Sequence, residues 1–426
     1  MSGHPLRIAI LGNRWISVRY SGFSTLVERL PPVGRRSSNS TAKHSDSGCN
    51  ATKPKPGNDG NNGRNESRRA VGEARRQETI DMRNGHSRRH RLLMTRLKLN
   101  SAQMTKFVAK RMNAKLFEPF IVRDASKNWR HVDAEQLGRH REFIKNNYIH
   151  PAHYWETKGG EQDLKGLTID RLHGDRRTYI PWISSFLPLR ESSILEVGAG
   201  TGSSTVALAE QGARVTGIDI LEEGVAVAKD KCRLFGVEAN LIVENFLEYT
   251  PEGDQRFDAV IFFASLEHML PEERLQALPR AWEMIRPGGY LIIIEAPNRL
   301  WYDDWHTSLL PFFNWLPREL ALQYMQFSPR AELVDLLTPP SEVNLIELQR
   351  WGLGVSFHEF DLALGKDIRN SVSLSLQTFL RRRSPFRYVA WHVSGHAKFA
   401  RFLKKSASDV PNPWFEAALD IAIQRP

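Results

Sequence analysis

ILEVGAGTGSST, residues 194–205, carries more architectural information than any other stretch of the chain. An apolar run stops at three glycines on alternate positions, Gly198, Gly200 and Gly202, and an acid, Glu196, sits just inside the run. The pattern reads as a strand over 194–198, a tight turn, and a helix over 203–211 ended by Gly212. The spacing G-x-G-x-G differs from the G-x-G-x-x-G that lets a backbone approach a pyrophosphate, and no P-loop lysine follows. An acid at the strand's end repels phosphate and suits a cationic group. The next strand, 214–219, ends at Asp219, 17 residues past Gly202, where a carboxylate can accept two ribose hydroxyls.

Outward from this turn the alternation continues. A helix is expected over 222–235 before Gly236, strands over 240–244 and 257–263, a helix over 271–285 with proline in its first turn, a turn at RPGG, and a strand over 290–296. Alternating strands and helices imply a parallel sheet covered on both faces, with ligands at the carboxyl ends of its strands. The implied ligand is a nucleoside whose other end is cationic and poor in phosphate, which S-adenosylmethionine fits.

LEVGAGTG, VTGIDI, VENFLEY, FDAVIFFASLEHM and IRPGGYLIIIEAPN, in this order, resemble successive motifs of the class I S-adenosylmethionine-dependent methyltransferases over about residues 175–300. The resemblance implies a Rossmann-like α/β fold, with a mostly parallel seven-stranded sheet and helices on both faces. It also implies S-adenosyl-L-methionine as methyl donor, and cofactor contacts at Glu196, Gly198, Ala199, Gly200, Gly202, Asp219, Ile220, Asn245, Phe246 and Ser265. Asn245 stands where the family usually has an aspartate beside adenine; its amide oxygen can still accept a hydrogen bond, with less charge assistance.

Methyl transfer to an oxygen often needs a general base. His268, in SLEHM after the fourth strand of the alternation, and His306, in PNRLWYDDWHTSLLPFFNWLP after the fifth, are the candidates, with Asp304 and its neighbour Asp303 as further polar groups. Trp301, Tyr302, Trp305, Phe312, Phe313 and Trp315 read as the apolar wall of a cap. The expected acceptor is a small-molecule or glycan hydroxyl, and no metal is expected. No Asn/Asp-Pro-Pro-Tyr/Phe element stands at the fourth strand, which argues against methylation of amino groups on bases or glutamine. Two alternatives stay open: an RNA or protein methyltransferase docking through a basic tail, and a non-catalytic cofactor-binding module.

The net charge of +11 hints at nucleic acid, but its distribution does not. The first 100 residues hold 20 basic and 7 acidic residues, and the rest hold 39 and 41, so the part with periodic patterning is near neutral. Residues 31–90 are rich in Ser, Asn, Gly and Arg and are expected to be a disordered basic linker. Residues 1–30 read as a strand, a loop through Gly12 and a helix from Ser24. They resemble the N-terminus of two-lobed bacterial glycosyltransferases at Arg19, Tyr20, Gly22 and Phe23, which implies a truncated remnant; an Arg-rich organelle transit peptide is the second reading.

Residues 91–190 are expected to form a helical cap, and 191–426 the methyltransferase domain with a C-terminal helical insertion at about 367–405, between strands at GVSFHEFDLAL and FEAALDIAIQRP. Two cysteines without metal-ligand spacing fit a reduced compartment, and Cys232 reads as a buried helix residue. No apolar run approaches the roughly 20 residues that span a bilayer. A cytoplasmic enzyme is expected, and its oligomeric state is not legible.

Overall fold

Val-, Ile- and Phe-rich runs without alternation are stable only as strands covered on both faces, and the runs Ile194–Val197 and Phe257–Phe263 are buried throughout. A computed structural model describes residues 5–9, 15–19 and 125–426. It contains strands β3 (Ser193–Val197), β4 (Arg214–Asp219), β5 (Asn240–Val243), β6 (Phe257–Phe263), β7 (Ile285–Pro297), β8 (Val372–Ser375) and β9 (Ala418–Gln424). They form one seven-stranded sheet in the order β5-β4-β3-β6-β7-β9-β8. The strands from β5 to β7 are parallel, and β9 runs antiparallel between β7 and β8. This is a Rossmann-like α/β fold.

The order reverses at β3, whose Val197 pairs with Ile218 on one side and Phe262 on the other. Chain leaving β3 and β6 therefore turns to opposite faces and opens a crevice at their carboxyl ends, where ligands of such sheets bind. Alternate residues feed two cores. Ile194, Ala259, Ile261 and Ile292 pack with Trp182, Val206 and Phe235 on one face, and Leu195, Val260, Phe262 and Ile293 pack with Leu278, Phe360 and Trp414 on the other.

Helices α1 (Ala134–Asn147), α2 (Lys158–Lys165) and α3 (Arg171–Ile183) precede the sheet, in agreement with the helical periodicity there. Helix α1 packs on α5 (Glu222–Phe235) through Ile144 and Val227, and His140 is 2.6 Å from Asp230. Helix α3 is tied to the end of α4 (Ser203–Ala209) by Arg176, whose guanidinium donates to both oxygens of Glu210 at 2.8 and 2.6 Å with both groups buried. Cys232 is a buried thiol on α5, its pKa pushed up to about 11 by burial.

Four expectations change. Phe357–Leu364, read as a strand, is helix α10, after α6 (Pro271–Met284), α7 (Arg318–Tyr324), α8 (Ala331–Leu337) and α9 (Glu342–Arg350). Glu359 takes Ser356 N–H at 2.9 Å and so starts the helix, while Phe357 and Phe360 bury one face. Val372–Ser375, within the stretch read as helical, is strand β8, followed by α11 (Leu376–Arg383), α12 (Pro385–Val393) and α13 (Gly395–Ser406). The RPGG turn lies inside the long β7, with a register shift opposite Phe257–Ala259. At the N-terminus β1 (Pro5–Ala9) and β2 (Trp15–Arg19) form an antiparallel hairpin where a loop was expected. The helix expected from Ser24, the linker at 31–90 and residues 91–124 of the cap lie outside the described residues. Among the described residues, no helix is long and apolar enough to cross a membrane.

Candidate active site

The glycine turn needs its glycines. Gly198, Gly200 and Gly202 have φ of +88°, +50° and +76°, a region costly for side chains. A Cβ at Gly198 would lie 2.5 Å from Ser265 Cβ, and one at Gly202 2.8 Å from Ala228, whereas at Gly200 it would meet nothing within 4 Å. The backbone of Gly200 thus faces open space, a cradle for a ligand. Gly198 and Ala199 N–H groups bind Ile218 O at 2.8 and 3.1 Å, pinning the turn to β4.

Asp219 is latched to this turn: Oδ2 accepts Gly200 N–H and Oδ1 accepts Leu221 N–H, both at 2.8 Å. Burial pushes its pKa up, against the pull of those amides. Each oxygen keeps lone-pair capacity for a hydroxyl, and Ile220 beside it is half exposed. Asn245 Oδ1 accepts Leu247 N–H at 3.0 Å, leaving its NH₂ group as the donor at that edge. Ser265 Oγ donates to Val197 O at 2.6 Å and joins the turn to the end of β6. The glycine turn, Asp219 and Asn245 thus follow the carboxyl ends of the neighbouring strands β3, β4 and β5.

Two residues of the expected cofactor set are engaged within the protein. Glu196 is fully buried and accepts the hydroxyls of Ser204 and, at 2.6 Å, Thr205, so it fastens β3 to the first turn of α4. Burial raises its pKa to about 7. Phe246 is buried in the core, edge-on to Phe262. Sequence reading missed Lys231, whose buried ammonium donates to Leu167 O at 2.7 Å and Ser203 Oγ at 2.9 Å; burial lowers its pKa to about 7. It also missed Tyr148 at the end of α1, which is near enough to Asp219 for their charges to couple. A lone lysine in a helical pattern carries no signal of its burial.

At the other end of the Ser265 turn, His268 and His306, each following a strand of the sheet, meet with ring centroids 5.6 Å apart. His268 Nδ1 lies 2.9 Å from Arg350 O, and His306 Nδ1 lies 3.0 Å from Thr307 Oγ1, whose own proton goes to Gly352 O. A carbonyl can only accept, and the hydroxyl's single proton is committed, so each Nδ1 carries the proton and each Nε2 the lone pair. Burial lowers both pKa values, to about 3 for His268 and about 4 for His306. Glu267, which sequence reading passed over, is buried beside them with its pKa raised by burial to about 8.

Asp304 is corrected to a positioning residue: its carboxylate accepts the N–H groups of His306, Thr307 and Ser308 and the Ser308 hydroxyl, at 2.6–3.2 Å, and so shapes the turn that presents His306. Asp303 is exposed. The aromatic wall is also dispersed. Trp301 and Tyr302 pack on Phe399 of α13, Phe313 sits in a separate core with Trp351, Phe312 and Trp315 are half exposed, and Trp305 alone of the six has its ring against His306, at 5.9 Å. Behind the histidines, Arg274 and the Arg350–Glu273 pair, with Arg350 Nη2 2.5 Å from Glu273 Oε1, hold the surrounding backbone.

Residues 194–289 match a protein family described as "Methyltransferase domain". The chain is a class I S-adenosylmethionine-dependent methyltransferase. S-adenosyl-L-methionine is its cofactor. The methyltransferase is 26% identical over 238 residues to a ubiquinone biosynthesis O-methyltransferase from Coxiella burnetii, covering 54% of this chain and 91% of that one. It is 29% identical over 140 residues to the protein so named in Xylella fastidiosa, covering 33% and 53%. Among solved structures it resembles an S-adenosylmethionine-dependent methyltransferase from Methanosarcina mazei, with 31% identity, 28% and 58% coverage and a TM-score of 0.26. It also resembles magnesium protoporphyrin IX methyltransferase from Synechocystis, with 16% identity, 54% and 87% coverage and a TM-score of 0.33.

If Asp219 holds the ribose, Asp219→Ala removes two charge-assisted hydrogen bonds of about 1.5–3 kcal/mol each, and cofactor affinity should fall about 100-fold or more. Calorimetric titration with S-adenosylhomocysteine checks this, and unchanged affinity would refute the assignment.

Proposed function

We propose that the methyltransferase methylates a hydroxyl oxygen of a small molecule, of the phenol or quinol class. The carrying observation is the pair of neutral imidazoles, each with a buried Nε2 lone pair, that follow the carboxyl ends of β6 and β7. The two Nε2 atoms accept protons, so their complement is a hydroxyl. S-adenosylmethionine, when bound, supplies an electrophilic methyl group. The chain's own residues then orient the acceptor, receive its proton at an imidazole Nε2, and exclude water by burial. The relatives from Coxiella and Xylella, named as O-methyltransferases of ubiquinone biosynthesis, support this class over a glycan. The glycan reading rests on the short N-terminal stretch alone.

The test is methyl transfer from radiolabelled cofactor to separate pools of catechols and hydroquinones, simple phenols, lipid-linked glycans, and amines. Label is expected in aryl ethers. Label confined to amines or to glycans would overturn the proposal.

A further inference from the structure

Glu267, His268 and His306 each bring one potential ligand atom within 4.8 Å of the others. Among the described residues neither Glu267 oxygen, nor His268 Nε2, nor His306 Nε2 has a partner within hydrogen-bond geometry, although all four atoms are buried. Buried polar atoms are normally paired, and with Glu267 ionised four acceptors would face one another. Glu267 Oε1 is 4.0 Å from His268 Nε2, too far for a carboxyl proton on it to serve that lone pair. A cation at the centre would satisfy all three side chains.

The surroundings are built to aim the lone pairs inward. His268 gives its Nδ1 proton to the Arg350 carbonyl and His306 gives its own to Thr307 Oγ1. Such outer contacts fix the tautomer of a metal-binding imidazole. Gly352, at φ +106°, makes the space: a Cβ there would lie 2.5 Å from His306 Cε1 and 3.4 Å from His268 Cε1.

We propose that Glu267, His268 and His306 form a site for a first-row divalent cation. Two imidazoles and one carboxylate suit Zn²⁺, Mn²⁺ or Fe²⁺ over Mg²⁺. Ligands at about 2.1 Å from one ion stand at most about 4.2 Å apart, and the three atoms, all within 4.8 Å of one another, already lie near that separation. Three protein ligands leave coordination positions open, and one carboxylate leaves the site with a net positive charge that attracts an acceptor oxygen. The inference deepens the hydroxyl-acceptor reading and rests on it for the role of the ion; with a cation bound, the Nε2 atoms would be ligands in place of proton acceptors, and the acceptor oxygen would take the open position after giving its proton to solvent.

The test uses the full chain, freed of metal with a chelator and titrated with Zn²⁺ by calorimetry and with Co²⁺ by visible absorption. One saturable site per chain is expected, with affinity lowered at least about 100-fold in Glu267→Gln and in His306→Gln. Both variants must retain S-adenosylhomocysteine binding, which confirms that they are folded. Absence of a saturable site, or equal affinity in the wild type and both folded variants, overturns the proposal. The acceptor screen on chelated protein separates the two readings. Aryl ether formation with no metal bound defeats the cation site and leaves the hydroxyl reading intact. Metal bound at one site with label only in amines does the reverse.

Discussion

His306→Ala is expected to lower turnover about 10²–10⁴-fold, the range associated with loss of a positioned proton acceptor, while affinity for S-adenosylhomocysteine stays within about twofold. The separation follows from the geometry. His306 is carried by the turn that Asp304 organises after β7, whereas the proposed cofactor contacts lie on the β3 turn and the end of β4. Trimming the imidazole removes an acceptor at the far end of the crevice without touching the glycine backbone. His268→Ala should behave alike, and the double variant should cost little more than the worse single one, because two groups acting on one oxygen act as a unit. Steady-state kinetics with a hydroxyl acceptor, read as separate kcat and KM values, decides the matter. Wild-type turnover in either single variant would remove the imidazoles from the chemistry, and a matching loss of cofactor affinity would show that the variant had disturbed the turn instead.

Arg274→Met is expected to destabilise the domain by about 3–5 kcal/mol, as breaking one side of a buried ion pair does. Arg274 is 1% exposed. Its Nε donates to Met269 O at 3.0 Å, its Nη2 to Glu267 O and Leu353 O at 2.9 Å each, and its Nη1 to Gly354 O and Glu359 Oε1 at 3.2 Å. One planar fork thereby joins the turn carrying Glu267 and His268 to the chain that leads into α10. Methionine fills the volume and leaves four carbonyls and a carboxylate without this donor. Arg274→Lys should recover only a minor part, since an ammonium cannot reach acceptors spread in a plane. Urea denaturation checks both variants, and a loss below about 1 kcal/mol for Arg274→Met would mean that water serves these carbonyls as well as the guanidinium does.

Much of this architecture is readable because it is local. Three glycines at positive φ, an aspartate ending the next strand, and strand–helix alternation are properties of contiguous residues, and they led to the parallel part of the sheet and to the cofactor. His268 and His306 were also legible, since each follows a strand at its carboxyl end and the topology brings those ends together. The misreadings have a common cause. FHEFDLAL is apolar enough for a strand or a helix, and contact with α6 together with the Ser356–Glu359 start made it helix α10. The short β8 exists because β9 offers it an edge.

At the site the division is the same. Residue types told which groups can accept a proton or a ribose hydroxyl, and spacing told which strand ends they occupy. Burial and partner choice came only from the packed chain. Glu196 was spent on Ser204 and Thr205, Asp304 on four donors of its own turn, and Phe246 on the core, while Glu267, adjacent to a histidine already singled out, was left without a donor. A side chain's chemistry is written in the sequence, but its remaining hydrogen-bonding capacity depends on neighbours tens of residues away, and only the folded arrangement of those neighbours determines it.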